Sequence, residues 1–386
     1  MTKHPLWLVR RLSGLLFLPL AACTALRTPT AEPVAYPQVG EVRLNIAEVE
    51  PAQHQLLDIG IVVFENDEDE SAARTYGDRV FAEVREKEIR YLPFLLREVL
   101  IESQQWGAVR VLPEADPSVD LLISGKILRS SGTELAIQID ATDSTGRSWL
   151  SRIYGDAAML SDYPEDIRFT PFKPFIPSEH KEPYQDLYEN IGNDLVAIRD
   201  MLSAGDLQTV RDVSTLVYAN DLSPESFGNM LTTNDAGLLE AASLPAENDP
   251  MLARVEDMRV RHHVFIDTVD EYYGALHDEM VQAYIMWRRH SYDQQEQLVS
   301  REQEPISEDF FSGSYLTMTQ RYNRYRWSKI YRQEFQELAA GFNQELAPAI
   351  LELNEQVHGL SGTMAEQYIQ WRRILRQLFE LETGNI

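Results

Sequence analysis

The hydrophobic period of this chain differs between its two halves, and that difference limits the architectures open to it. Between Ile59 and Tyr154, outside one helical stretch, the apolar residues come in short runs or alternate with polar ones, as in buried or half-buried strands. From about residue 205 onward they recur every three or four positions, as on a helix with one buried face. Strands grouped first and helices after predict an α+β fold: an α/β sandwich-type domain with a mainly antiparallel sheet, followed by a mainly α-helical bundle domain. A length of 386 residues suits two domains. The patterning places them at 56–204 and 205–386.

Within the first, Ile59-Gly60-Ile61-Val62-Val63-Phe64 predicts a buried strand. The acidic cluster Glu65-Asn66-Asp67-Glu68-Asp69-Glu70 follows and reads as a solvated loop. Its carboxylates would also suit calcium, but the glycine and distal glutamate of an EF-hand loop are missing. A helical period runs from Thr75 to Ser103 through Val80, Val84, Tyr91, Leu95, Val99 and Leu100, with Pro93 expected to kink or divide it. Further strands are expected at 108–112, 121–128, 134–142 and 147–154. In the third of these Leu135, Ile137 and Ile139 alternate with Gln138 and Asp140, and Asp143-Ser144-Thr145-Gly146 is a hairpin turn. Residues 161–183, rich in proline and aromatics, read as a loop over the surface. Leu187, Ile191, Leu195, Ile198 and Leu202 mark a closing helix from about Tyr184 to Leu202.

This order of elements resembles the periplasmic α/β domain of the TolB amino-terminal, LpoB and CsgG type. The matching residues are the strand Ile59–Phe64, the helix before Trp106, the strand Asp120-Leu121-Leu122-Ile123-Ser124-Gly125, the Asp143–Gly146 hairpin and the closing helix. The resemblance implies a binding or scaffolding module that acts through partners. It does not extend to a pore, because no CsgG-like pore segment is evident and those proteins lack this helical tail.

In the second half, helices are expected at about 207–218, 250–300, 315–347 and 349–382, an antiparallel bundle of about four. Breakers lie at Asn220–Pro224, Asn248-Asp249-Pro250 and Glu302–Gly313. Trp327, Tyr331, Phe335, Leu338, Phe342 and Leu346 form one stripe. The hexapeptide Tyr284-Ile285-Met286-Trp287-Arg288-Arg289 recurs as Tyr368-Ile369-Gln370-Trp371-Arg372-Arg373, by duplication or by chance.

The amino terminus reads as an address. Lys3, Arg10 and Arg11 precede the apolar run Leu12–Leu20, which is far too short to span a bilayer. No other stretch is long enough, so no transmembrane helix is expected. Leu20-Ala21-Ala22-Cys23 resembles a bacterial lipobox, around the chain's single cysteine. In such signals the cysteine thiol is diacylated, the chain is cut before it, and the new amino group is acylated. By this resemblance residues 1–22 are expected to be a lipoprotein signal peptide, and Cys23 to carry a covalent lipid in place of any cofactor. In such lipoproteins Asp after the cysteine favours the inner membrane; Thr24 there implies the periplasmic face of the outer membrane. Residues 23–55, with Pro29, Pro33, Pro37 and Pro51, read as a flexible tether or as an arm packed on the body.

Charge narrows the partners. The chain carries 35 basic and 61 acidic residues, a net −26. Cleavage before Cys23 removes three basic residues and no acidic ones, leaving −29. That balance argues against nucleic acid, whose binding depends on neutralising phosphates. An outer-membrane anchor and an envelope protein partner are expected instead. A single cysteine excludes an internal disulfide and multi-cysteine metal sites. No HExxH, P-loop, GxSxG or GxGxxG motif is present, and the expectation is a protein without catalytic residues. The adjacent His262 and His263 point about 100° apart on a helix. His263 with Asp267 and Asp270 would suit zinc; an exposed polar face explains the same residues without a metal, and no metal site is expected. The local exception to the acidity is the segment 320–333, with Arg321, Tyr322, Arg324, Tyr325, Arg326, Lys329 and Arg332 and no acid. It is the candidate ligand or partner patch. Its aromatics fit equally inside a bundle, with the arginines paired to acids on neighbouring helices.

Overall fold

A computed structural model describes residues 35–67, 82–163, 182–246, 249–303, 350–353 and 356–384. Tyr36–Ile386 forms one compact unit. Its centre is a mixed six-stranded sheet. The strands are β1 (Ile59–Val62), β2 (Glu65–Asn66), β3 (Val109–Leu112), β4 (Leu121–Ser130), β5 (Glu134–Asp143) and β6 (Ser148–Ala157). They lie in the order β3-β1-β4-β5-β6. β1 is parallel to both β3 and β4, and β2 continues alongside β4. β4, β5 and β6 form an antiparallel meander. The β5–β6 turn is the expected one, with Gly146 at φ +88° and the Asp143 carboxylate accepting from the Thr145 and Arg147 amides.

Helix α1 (Ala82–Glu102) connects β1 to its parallel neighbour β3, as such a crossover requires. Pro93 does not divide it. Helix α2 (Gln185–Met201) buries Leu187, Ile191 and Leu195 against the same sheet face as α1, and burial of each stabilises by about 1.5–3 kcal/mol. Then come α3 (Ala204–Leu222), the one-turn α4 (Pro224–Phe227) and a hairpin of β7 (Leu231–Thr233) and β8 (Leu239–Ala241). Helix α5 (Pro250–Gln303) has 54 residues, about 80 Å of helix. The hairpin β9 (Ile350–Leu353) and β10 (Gln356–Gly359) precedes the last helix, α6 (Met364–Thr383).

Two hydrophobic cores result, and α5 joins them. The first lies between the sheet, α1 and α2, and takes in Leu276, Met280, Tyr284 and Trp287 of α5. The second is built by Val111 and Leu112 of β3 with Val255, Met258, Phe265, Val269 and Tyr273 of α5 and Tyr368, Trp371, Leu375 and Phe379 of α6. The helical half is therefore packed directly onto the sheet layer.

Three expectations change. Residues 36–57 are laid on the body as an arm. β6 ends the strand order, and an edge strand offers backbone groups to a further segment. Gly155 of that strand accepts from the Val39 amide at 2.8 Å and donates to the Pro37 carbonyl at 2.8 Å. Asn193 of α2 brackets the arm farther along, accepting from the Asn45 amide and donating to the Arg43 carbonyl. Second, α6 begins at 364, not near 349. Gly362 at φ +101° breaks the chain direction, and Thr363 and Glu366 form a reciprocal capping box. Third, Glu65–Asn66 is a short strand and not open loop. The expected helix 315–347, most of the loop 161–183, Glu68–Glu70 and Cys23 lie outside the described residues. No described helix is long and apolar enough to cross a membrane.

Candidate functional site

The two Tyr-Ile-x-Trp-Arg-Arg segments perform the same task at two places. Tyr and Arg four residues apart share a helix face. In each copy that pair grips a buried carboxylate, one on α1 and the other in the β3–β4 connection, while the tryptophan between them packs inward.

In the first copy, on α5, the Tyr284 hydroxyl donates to Glu88 Oε1 of α1 at 2.6 Å. Arg288 Nη2 lies 3.5 Å from the same oxygen, and Ser130 Oγ donates to it at 2.6 Å. Arg288 also donates to the Ser131 carbonyl at 2.9 Å, and its guanidinium stacks over the rings of Tyr184 and Tyr284. Arg288 and Glu88 are fully buried. Next to them the Tyr91 and Tyr188 hydroxyls, Glu182 Oε1 and Arg288 Nε are buried without a hydrogen-bond partner among the described residues. Burial pushes the Glu182 carboxyl up to about 7, against the pull of Arg288.

In the second copy, on α6, the Tyr368 hydroxyl donates to Asp116 Oδ2 at 2.6 Å. Arg372 Nη1 lies 3.6 Å from Asp116 Oδ1. Asp116 sits in the β3–β4 connection and also accepts from the Ser118 amide and hydroxyl. Burial alone would raise its carboxyl; the charges of Arg372 and His262 and these hydrogen bonds outweigh that and bring it down to about 2. His262 Nε2 lies 3.9 Å from Asp116 Oδ2, and its ring stacks on Tyr218 at 5.6 Å and 9°. Burial lowers His262 to about 4, so the ring is neutral near pH 7.

The second copy differs in opening to solvent. Arg372 lines a cleft of about 440 Å³ with Glu114, Ala115, Asp221, Tyr368, Ile369, Arg373 and Arg376. Asp221, in the last turn of α3, holds two of the arginines. It accepts from Arg372 Nη2 at 2.7 Å and pairs with Arg376, whose Nε also donates to the Asp221 carbonyl at 2.8 Å. Arg373 is exposed and has no ion pair or hydrogen bond among the described residues. This is the candidate site: a fixed carboxylate floor, a wall of three guanidinium groups from one helix, and an open mouth.

The arrangement suits holding an anion. Asp116 and His262 are not within hydrogen-bonding distance, and the Asp116 carboxylate is already taken by Ser118, Tyr368 and Arg372. The exposed polar face expected for His263, Asp267 and Asp270 holds only at Asp267: His263 is half-buried and Asp270 is buried. The adjacent His262 is 2% exposed and occupies a step of the buried stripe Val255, Met258, Phe265, Val269. Asp267 and Asp270 are engaged by Arg110 at 2.6 Å and Arg97 at 2.5 Å, which pins α5 to β3 and α1. Among the described residues no group of three or more metal-ligating side chains comes together.

Cys23 and the patch Arg321, Tyr322, Arg324, Tyr325, Arg326, Lys329 and Arg332 lie outside the described residues. The hexapeptide copies were visible in sequence, and Arg372 and Arg373 with them. Asp116, Asp221 and Arg376 were not singled out. The available signal was the spacing Ile369, Arg372, Arg373, Arg376, which puts one apolar and three cationic residues on one helix face.

No protein-family model matches the chain, and no curated protein matches it in sequence.

Proposed function

We propose that the chain is an outer-membrane-anchored periplasmic lipoprotein that acts without catalysis, as an accessory or scaffold of an envelope complex such as a cell-wall synthesis, secretion or transport assembly. The observation that carries this reading is the lipobox Leu20-Ala21-Ala22-Cys23 around the chain's single cysteine. Acyl chains on Cys23 would anchor it, each buried methylene contributing about 0.8 kcal/mol. The β-α-β unit and antiparallel meander carry the element order behind the resemblance to the LpoB and CsgG type of domain, which supports action through partners; fold likeness by itself does not assign a function.

The test is a Cys23→Ser variant in the native host, followed by membrane fractionation and purification from crosslinked envelopes. The variant is expected to leave the outer-membrane fraction, and the wild type to recover a reproducible protein partner. Unchanged fractionation would refute the anchor, and the absence of any reproducible partner would refute the scaffold.

The cleft beside α6 favours a second reading, a carrier or sensor of an envelope lipid or glycan. Concave sites of this volume are typical of small-molecule recognition.

A further inference from the structure

We propose that the cleft beside α6 binds a phosphate monoester of a hydroxyl-bearing molecule, held by Arg373 and Arg376 with Arg372 behind them. The inference deepens the carrier or sensor reading of this cleft and is independent of where the chain is anchored.

The arginines are placed in advance. Arg372 is fixed between Asp221 and the buried Asp116, and Arg376 is tied to both the carboxylate and the carbonyl of Asp221. Asp221 lies on α3 and Asp116 in the β3–β4 connection, so three separate segments hold the wall in place. Little side-chain freedom would remain to be lost at Arg372 and Arg376 when a ligand binds. Arg373 supplies a whole guanidinium fork with no competing partner among the described residues.

Geometry selects the ligand. Three guanidinium groups line the cleft with Asp221 and Glu114, and the buried Asp116 also faces Arg372, so the guanidinium left without an ion pair among the described residues is that of Arg373. Asp221 already shows what one carboxylate does there: its two oxygens are taken by Arg372 and Arg376. The sites left are the fork of Arg373 and the unused N–H groups of Arg376. A phosphate monoester carries three terminal oxygens and a charge near −2, so it can engage two forks at once where a planar carboxylate saturates one. The rest of the lining suits the attached group. Ile369, 49% exposed, and Ala115 offer apolar surface, and Glu114 is an acceptor for hydroxyl groups. Either a lipid headgroup or a soluble sugar or polyol phosphate presents this chemistry.

Calorimetric titration of the full chain in detergent tests the proposal. The probes are glycerol 3-phosphate and soluble dihexanoyl phosphatidic acid, both phosphate monoesters, at constant ionic strength. Saturable binding of at least one is expected. Arg373→Gln and Arg376→Gln should each weaken it by about tenfold or more, while Lys126→Gln, on a distant strand, should not. Equal binding of both probes would identify a soluble ester site, and binding of phosphatidic acid alone a headgroup site. Arg373→Gln removes no ion pair or hydrogen bond among the described residues, so it decides the matter if Arg376→Gln is unstable. No saturable binding of either probe, or arginine variants that bind like the wild type, would overturn the proposal. Neither result bears on Cys23, whose fractionation test stands separately.

Discussion

Beside the apolar packing of α5, single residues tie the helical half to the rest of the fold through buried charge. Arg288 and Glu88 are both removed from water, with Tyr284 and Ser130 completing the carboxylate's bonds. Removing one member strands the other. Arg288→Met is expected to cost about 3–5 kcal/mol in urea unfolding, and the double variant Arg288→Met, Glu88→Gln distinctly less than the sum of the single changes. A fully additive result would mean that the pair is not coupled. Titration gives a second expectation, with two opposing signs. His262 is kept neutral by burial, with a native value of about 4 against 6.5 when unfolded, so its contribution is complete above pH 6.5 and lost as pH falls toward 4. That displacement is worth about 3 kcal/mol at most. His262→Phe retains an aromatic ring on Tyr218 and should flatten the acid limb, though His263, also lowered by burial to about 4, keeps part of it. Glu182 acts in the other direction. Its native value is raised by burial to about 7 from 4.5, so stability declines as pH rises between those values, and Glu182→Gln should remove that decline. Urea midpoints of the wild type and both variants across pH 4–8 check both signs.

At the scale of elements, docking depends on close backbone approach. The β4–β5 turn meets α5 at Gly132, where a Cβ would lie 2.2 Å from the Tyr292 amide nitrogen and 2.3 Å from the Arg288 carbonyl oxygen. Gly132 N donates to Ser291 Oγ, and the Ser131 carbonyl accepts from Arg288 and Tyr184. Gly132→Ala must push the helix away, at a cost of about 1–3 kcal/mol. Faster amide exchange in α5 around Tyr284–Tyr292 should accompany the loss, and unchanged exchange would contradict this account of the contact. Much of this level was legible in sequence. Leu135, Ile137 and Ile139 alternate cleanly and are all fully buried. Asn248-Asp249-Pro250 marks the start of α5, with proline at its first position as helix starts favour. The region before α6 departs from the expected helix because Ile350–Gly359 is short and apolar enough to fit either period. The better signal was chemical: Thr363 and Glu366 spell a capping box directly after Gly362. Thr363→Ala should therefore destabilise α6 by about 1 kcal/mol in urea unfolding.

For the whole molecule, sequence separation set the limit on what patterning revealed. Tyr284 meets Glu88 across 196 positions and Tyr368 meets Asp116 across 252. Nothing local distinguishes those two acids among 61. The two-core plan, with α5 spanning both, was hidden for the same reason: a helical period shows that a face is buried, but not against which layer. His262 illustrates it at one position, a polar residue on an apolar stripe that only the facing Asp116, Tyr218 and Tyr368 explain. We propose an anchored amino terminus joined to a body whose α6 face presents a cleft lined by three arginines. The anchor is the central claim, and the most direct measurement is mass spectrometry of the amino-terminal fragment of the mature protein taken from native membranes. The account predicts a chain beginning at Cys23 with its thiol diacylated and its amino group acylated. A mature chain that begins elsewhere, or one with an unmodified Cys23, would contradict it.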